Sequence, residues 1–566
     1  MTPEAVPEQA LTTPLTDHLI RNAASAGHAP AFTCLVFPGR TDPVEHTLTW
    51  MELLGRVRGV ARELRDHTDP GDRVAVIARQ DLDYVVAFLG TLYAGRVAVP
   101  LSVPTGRTLR ARLASSLIDS APTAWLTSQN LIDNVRSLTT EPGIPAPRAV
   151  LAVDEIGSDA DEPPAPVDMD APAYLQYTSG STRRPAGAVI SHRALSASCW
   201  QTTHVYHADA STHLVGWVPF FHDMGLILLI GTPVFLGARS VFFTPMEFVR
   251  DPLRWIRLLA DYPGAITAAP NFAFDLAAAA ASGLGDVDLS QTNSVLNGSE
   301  PVRAETVADF QRAFAPFGLP RGAHKPCYGL AEATVFVTSA RDEGATVTTF
   351  DPGELRAGQA VAAPGEPLVS SGSACGQQVS IVDKETCERQ GDGHIGEIWV
   401  HGPNIADGYW GHPDRGETFD ARLDGRSGWL RTGDLGFVHD GRLYVSGRLK
   451  DLIIVDGRNH YPQDIEATVE AAHELIRPGR VAAFAVSGQT GEGVAVVAEY
   501  RREPGDEEVV VKAVRRAVSA AHDLPLRGFR LVRPGAVPRT SSGKVSRSAA
   551  RDRWFGGDGQ GREWTP

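Results

Sequence analysis

Two short β-branched runs, RVAVIA at 73–78 and RVAVPLS at 96–102, flank DYVVAFLGTLYAG, whose apolar residues have helical spacing, and this alternation continues for several hundred residues. Strands repeat every two residues and helices about every 3.6, so a chain that keeps switching between them is confined to α/β architectures. With 566 residues, 43% of them hydrophobic, it can bury a large core and should divide into several units. Beyond about residue 345 the helical signals thin out. Glycine, proline and short strands (QQVSIVD, GEIWVHG, GRLYVSG) then dominate through residue 447, as in a β-rich subdomain. After GRLKDLIIVDGRNHYP, helix-like (PQDIEATVEAAHEL, EEVVVKAVRRAVSAAH) and strand-like (VAAFAVSG, GVAVVAEYR) stretches mix as in a small α+β domain. The expected division is a large domain over 1–449, containing a β-rich subdomain at about 373–447, and a mobile α+β domain over 450–566. The tail FGGDGQGREWTP is expected to be disordered.

Composition removes several classes of function. The five cysteines (Cys34, Cys199, Cys327, Cys375, Cys387) are scattered and form no CxxC pair, which argues against a disulfide framework or zinc site and for a reducing cytoplasm. Glu4 and Glu8 stand where a signal peptide would carry basic residues. The longest apolar stretch, GLILLIGTPVFLGA, is interrupted by Thr232 and Pro233 and is too short to span a bilayer. A formal net charge of −14 speaks against nucleic acid as a partner. The charge is nevertheless uneven. Arg527, Arg530, Arg533, Arg539, Lys544, Arg547, Arg551 and Arg553 face only Asp552, and this run reads either as a solvated face or as a surface for an acidic partner or nucleotide.

The stretch YTSGSTRRPAGAVISH at 177–192 sets small hydroxyl residues and glycine beside two arginines. Such a loop lets backbone N–H groups converge on a phosphate; it is equally a solvated turn. The P-loop pattern fails here because Pro185 occupies the second glycine position, and fails again at SSGKVS, where Pro538 replaces the first glycine and Val545 follows Lys544. Neither a G-x-S-x-G elbow nor an H-E-x-x-H helix occurs.

Together, YTSGSTRRPAG, FFHDMGL, NGSEPV, CYGLAEAT, GEIWVHGP, WLRTGDLG, GRLKDLI and PRTSSGK resemble, in type, order and spacing, the adenylate-forming enzyme superfamily over about residues 45–553. Within it the chain is most similar to the fatty acyl-AMP ligases, through LQYTSGSTRRPAG, PFFHDMGL, PNFAFDLA, LNGSEPVR, YGLAEATVFV and GRNHYPQDIE. The segment after Phe336, about 338–372, lies where those ligases carry an insertion that disfavours the movement required for CoA thioesterification.

The resemblance implies ATP and Mg²⁺ as cofactors, a fatty acid as substrate, and a separate acyl carrier protein or synthase carrier domain as partner. Thr178, Ser179, Gly180, Ser181 and Thr182 would cradle the β- and γ-phosphates, and Glu332 would hold Mg²⁺. Tyr328, beside Gly329, would stack on adenine against a wall formed by Asn297, Gly298, Ser299, Glu300 and Pro301. Asp434 and Arg448 would meet the ribose; Lys544 would bridge the carboxylate and α-phosphate; Lys450 would be the hinge. His222, Asp223 and Leu226 would face the acyl group, and the bulky run Leu226 to Ile230 would line and shorten its tunnel. Each has a plainer alternative: a core histidine for His222, a helix-surface charge for Glu332, a turn residue for Asp434 and an exposed loop lysine for Lys544. The superfamily's usual Gly and Lys are replaced by Arg183 and Ala186, so either Arg183 or Arg184 substitutes for the lysine or the protein is an impaired homologue. A fatty acyl-CoA synthetase is the other alternative.

Overall fold

The computed structural model describes residues 4–39, 42–103, 107–158, 161–177, 186–412, 416–455, 458–488, 491–503, 505, 507–522, 524–539 and 544–555. Among these, two large sheets form the body of the α/β architecture expected from the alternation. One has six strands in the order Ala149–Ala152, Ala124–Thr127, Arg73–Ile77, Val97–Leu101, Pro172–Tyr177, Gly187–Ser191, parallel except for the last pair. Its two central strands are the β-branched runs read from sequence. The helix between them, Leu82–Tyr93, starts at Asp81, whose carboxylate accepts the Asp83 and Tyr84 N–H groups. Ten of its twelve residues are buried, because this helix packs between other layers rather than against solvent.

The second sheet has nine strands among the described residues, and its central strands, including His213–Gly216, Ile266–Ala269, Ser294–Asn297 and His324–Tyr328, run parallel. Their carboxyl ends deliver Asn297 and Tyr328 to one rim, the edge at which open α/β sheets place their ligands. Behind it, Trp217, Phe248, Trp255, Phe274 and Phe310 form a buried aromatic cluster.

Strands Gln378–Val382, Gly396–His401, Ala421–Leu423, Arg426–His439 and Arg442–Arg448 form a five-stranded sheet where the β-rich texture was read. The preceding segment contributes a strand pair, Val347–Phe350 with Glu366–Val369, around the short helix Pro352–Arg356. Towards the C-terminus, Ile476–Gly488, Gly491–Tyr500 and Leu526–Val532 form a three-stranded sheet. The helices Pro462–Ala472 and Glu507–His522 cover it through Ile465, Val469, Val510, Val514 and Val518. The five cysteines are unpaired. Among the described residues, no helix is long and apolar enough to cross a membrane. The tail from residue 556 lies outside the described residues.

The apolar run after His222 is not one regular helix. Asp223–Leu226 is α-helical, Ile227–Gly231 forms a π turn, and Thr232–Leu236 is α-helical again. The cause is local. Pro233 has no N–H to offer the Leu229 carbonyl four residues back, and the Thr232 N–H bonds Ile227 O instead. The Ser240 hydroxyl, from the neighbouring strand, donates to the freed Leu229 carbonyl at 2.8 Å in a fully buried setting. Ser240→Ala removes that donor and is expected to cost about 1–3 kcal/mol, the usual penalty for a buried carbonyl left unsatisfied. Urea unfolding should show a lower midpoint at unchanged slope.

Candidate active site

Tyr177 and Gly187 are paired at the mouth of an antiparallel hairpin. The Tyr177 hydroxyl donates to Asp119 Oδ2 at 2.6 Å, which anchors the base of the loop between them. Thr178, Ser179, Gly180, Ser181 and Thr182, with Arg183 and Arg184, lie outside the described residues.

The Asn297–Pro301 segment is held by a buried polar chain with a fixed direction. Asn271 Nδ2 donates to Pro301 O at 2.7 Å, so its Oδ1 is left to accept Asn297 Nδ2 at 3.2 Å. The same Asn297 amide reaches His324 Nε2 at 3.2 Å. Burial lowers the His324 pKa to about 3, so the ring is neutral and Nε2 acts as the acceptor. Packing is as tight: a Cβ on Gly298 would stand 2.7 Å from Cys327 Sγ and 3.0 Å from Cys327 O.

Beyond Tyr328 the chain turns sharply. A Cβ on Gly329 would lie 1.4 Å from Val335 O, so only glycine fits. Thr334 and Val335 adopt φ values of 47° and 71°, a strained setting for β-branched residues. The fully buried Asn404 holds this turn by donating to the Ala333 and Phe336 carbonyls, both at 2.8 Å. Glu332 sits within it, and Tyr409 donates to Glu332 Oε1 at 2.7 Å. Tyr409 in turn is bridged to Ala188, just beyond the hydroxyl-rich loop.

Asp434 and Arg448 face each other across adjacent strands, with Arg448 Nε 3.3 Å from Asp434 Oδ1. Tyr328 donates to the other carboxylate oxygen, Oδ2, at 2.7 Å. The adenine-stacking candidate and the ribose candidate are therefore directly bonded. His222 caps the helix that follows it, and its Nδ1 lies 2.6 Å from Asp223 Oδ1. Leu226 to Ile230 are all buried.

Lys544 joins these groups. Burial and Arg448 lower its pKa, while Glu300, Asp223 and Asp434 oppose that shift. The ammonium is thus within electrostatic reach of three carboxylates contributed by three separate parts of the chain. Burial also pushes Glu300, Glu332 and Asp434 upward, against Lys544 and Arg303 at Glu300, Tyr409 at Glu332, and Arg448 and Tyr328 at Asp434. At Asp223 burial pushes the same way and is the largest single influence, but His222, the Met224 N–H and Lys544 together outweigh it and hold the carboxyl below its ordinary value. Lys544 is therefore not an exposed loop lysine, nor Glu332 a helix-surface charge; His222 is partly exposed rather than a core residue. Lys450 is exposed in the 3₁₀ turn Leu449–Asp451, at the end of the strand carrying Arg448.

The basic run is not one uniform solvated face. Arg527, Arg530, Arg533 and Arg553 are exposed, but Arg547 is largely enclosed and paired with Glu466 and Asp451. Sequence reading did not single out Tyr409, Asn404, Asn271 or His324, although Asn271 lies within PNFAFDLA and Asn404 directly follows GEIWVHGP. Their roles depend on pairings between distant segments.

A fold of two parallel-rich sheets with a strand-end cleft and an incoming lysine is the class of the adenylate-forming enzymes. The AMP-binding enzyme family pattern matches residues 21–410, and one described as the AMP domain of Disco-interacting protein 2-like proteins matches residues 450–561. The long-chain-fatty-acid–AMP ligase FadD32 of Mycolicibacterium smegmatis is 41% identical, covering 95% of this chain and 94% of the relative. A putative fatty-acid–CoA ligase, FadD25 of Mycobacterium tuberculosis, is 42% identical over 92% of this chain and 93% of its own. The structure is also similar to a fatty acyl-adenylate ligase from Legionella pneumophila solved with acyl adenylate and pyrophosphate, with a TM-score of 0.75, 32% identity and 97% of each chain covered. The chain belongs to the AMP-binding enzyme family and, within it, to the fatty acyl-AMP ligases.

The bonded Tyr328–Asp434 pair makes one local prediction. The lost O–H donor favours the carboxylate form, so Tyr328→Phe should move the Asp434 titration to higher pH, read by carbon-13 NMR of the carboxyl group. An unmoved titration would count against the pairing.

Proposed function

We propose that this protein activates a fatty acid with ATP and passes the acyl group to the phosphopantetheine thiol of a separate acyl carrier protein. The observation that carries this reading is that Lys544 lies within electrostatic reach of Asp223, Glu300 and Asp434. In the first half-reaction a carboxylate oxygen attacks the α-phosphorus, forming acyl-AMP and releasing pyrophosphate. In the second, a thiolate attacks the acyl carbonyl and AMP leaves. A fatty carboxylate, with a pKa near 4.3 by analogy with Glu, is already ionised at neutral pH, so the first step needs no general base. Its barrier lies in bringing two anions into line, which calls for cations, N–H donors and positioning.

Each group then has a task. Thr178 to Thr182 cradle the β- and γ-phosphates. Asn297 to Pro301, Tyr328 and Gly329 enclose adenine, Asp434 accepts from the ribose hydroxyls, and Arg448 approaches the ribose. His222 and Asp223 border the acyl carboxylate, with Leu226 at the head of the acyl tunnel. Lys544 bridges carboxylate and α-phosphate. Glu332 suits Mg²⁺: among the described residues there is no cluster of three or more metal-ligating side chains. A single half-buried carboxylate fits an ion that takes most of its ligands from phosphates and water. When bound, Mg²⁺ supplies charge neutralisation at the phosphates.

The chain divides at Lys450, and rotation there exchanges a state with Lys544 in the cleft for one open to the thiol. Segment 338–372 favours the carrier over free CoA. Arg356, on its helix, donates to Ala521 O at 3.1 Å and so tethers the insertion to the C-terminal part of the chain. The identity to FadD25, whose printed name is that of a putative CoA ligase, is the observation favouring CoA instead. The cytoplasm is the compartment this chemistry and the unpaired cysteines suit.

Incubation with ATP, Mg²⁺ and fatty acids, offering either CoA or a phosphopantetheinylated carrier, tests the reading. Acyl-AMP passed only to the carrier supports it, and efficient acyl-CoA formation makes the protein a synthetase. Lys544→Ala should lower adenylation about a hundredfold or more, the range seen when preorganised donors are removed; a loss under about threefold would remove Lys544 from the site. Lys450→Pro should slow transfer more than adenylation.

A further inference from the structure

The chain on either side of Lys544 is pinned: Arg539 and Val545 form a β-bridge, and the Ser546 N–H bonds Pro538 O at 2.9 Å. One residue further, Arg547 begins the helix Arg547–Phe555. Its guanidinium makes a two-pronged contact with one carboxylate, Nε to Glu466 Oε1 at 2.7 Å and Nη2 to Glu466 Oε2 at 2.8 Å. The remaining nitrogen, Nη1, donates to Asp451 Oδ2 at 3.1 Å. Glu466 is fixed independently, because its Oε1 also accepts the Ala483 N–H at 2.9 Å. The three side chains are 23%, 12% and 19% exposed, so the cluster is largely shielded from water.

The position of this cluster gives it a role. Asp451 is the residue after Lys450, and Arg547 is three residues after Lys544, at most about 11 Å along an extended chain. A bidentate guanidinium–carboxylate pair fixes orientation as well as distance, which a lysine cannot reproduce. We infer that Arg547 is a positioning residue that locks the segment carrying Lys544 to the hinge turn and to the helix Pro462–Ala472, so that hinge and lysine move as one body. The inference rests on the proposed function for the reaction it serves, but not for the geometry it fixes.

Arg547→Lys keeps the charge and loses the fork. The adenylation kcat should fall about tenfold or more, the scale of cost for a misplaced reacting group, with KM for ATP and fatty acid within about threefold. Transfer from presynthesised acyl-AMP to the carrier, which does not use Lys544, should stay within about twofold. In a Lys544→Ala background the same substitution should add almost nothing, because both residues act through one ammonium. Independently of activity, acetylation of Lys544 by an amine-reactive ester, read by mass spectrometry, should speed up in the folded variant. Circular dichroism and the unfolding midpoint check folding, and Glu466→Gln, which keeps the side-chain shape, should repeat the pattern. Proportional loss of both half-reactions, or unchanged adenylation with unchanged acetylation, would overturn the inference. If the wild type makes no acyl-AMP, the proposed function fails and the acetylation comparison alone decides the role of Arg547.

Discussion

The site depends on one electrostatic constraint: an ammonium partly withdrawn from water keeps its charge more readily where anions surround it. Removing an ion from water costs several kcal/mol even after relaxation, and a buried lysine otherwise loses its proton. Asp223, Glu300 and Asp434 meet that requirement for Lys544, and each arrives from a different part of the fold. Asp223 opens the helix before the π turn, Glu300 follows the strand Ser294–Asn297, and Asp434 lies on the long strand Arg426–His439. Burial pushes the same carboxylates upward, and at Asp223 His222, the Met224 N–H and Lys544 together reverse that push. Lysine and acids therefore stabilise one another's charged forms. An anionic, magnesium-bearing nucleotide entering such a cleft would meet a set of charges that is already balanced.

The two ends of the constraint were unequally legible in the sequence. The strands Arg73–Ile77 and Val97–Leu101 could be read because a buried parallel strand needs an unbroken apolar run. Lys544 could be named because PRTSSGK matches a motif of the adenylate-forming enzymes, and that resemblance implies its role. Tyr409 could not. Its hydroxyl matters only because residues 407–410 pair beside the strand Gly187–Ser191, which brings it to Glu332, 77 positions earlier. The Asn271–Asn297–His324 chain is a middle case: PNFAFDLA and NGSEPV mark its two amides, but the bonds that join them to each other and to the neutral His324 ring exist only once distant segments are packed together.

The π turn shows a second limit. The run Leu226 to Ile230 reads as apolar, and Pro233 reads as a break, both correctly. What periodicity could not supply was the partner for the carbonyl that Pro233 leaves unpaired, since the Ser240 hydroxyl reaches it only through the packing of the next strand. The bulge rotates the bulky side chains relative to a regular helix, directly after His222 and Asp223. The shape of any acyl tunnel there depends on this backbone irregularity as well as on side-chain size.

Arg547 shows why a count of charges along the chain misleads. In sequence it is one of seven arginines from 527 to 553, set against one acidic residue, and nothing distinguishes it from a solvated neighbour. In the fold its partners come from 81 and 96 positions away. Enclosed ion clusters add little to net stability, because desolvation offsets most of their attraction. A hydrophobic contact of similar volume would hold the helix Arg547–Phe555 as firmly but would tolerate sliding. The fork tolerates neither sliding nor rotation without leaving a shielded charge unpaired. That difference is what a lysine three residues away requires, since the gain from alignment at a reacting centre disappears over displacements of about 1 Å.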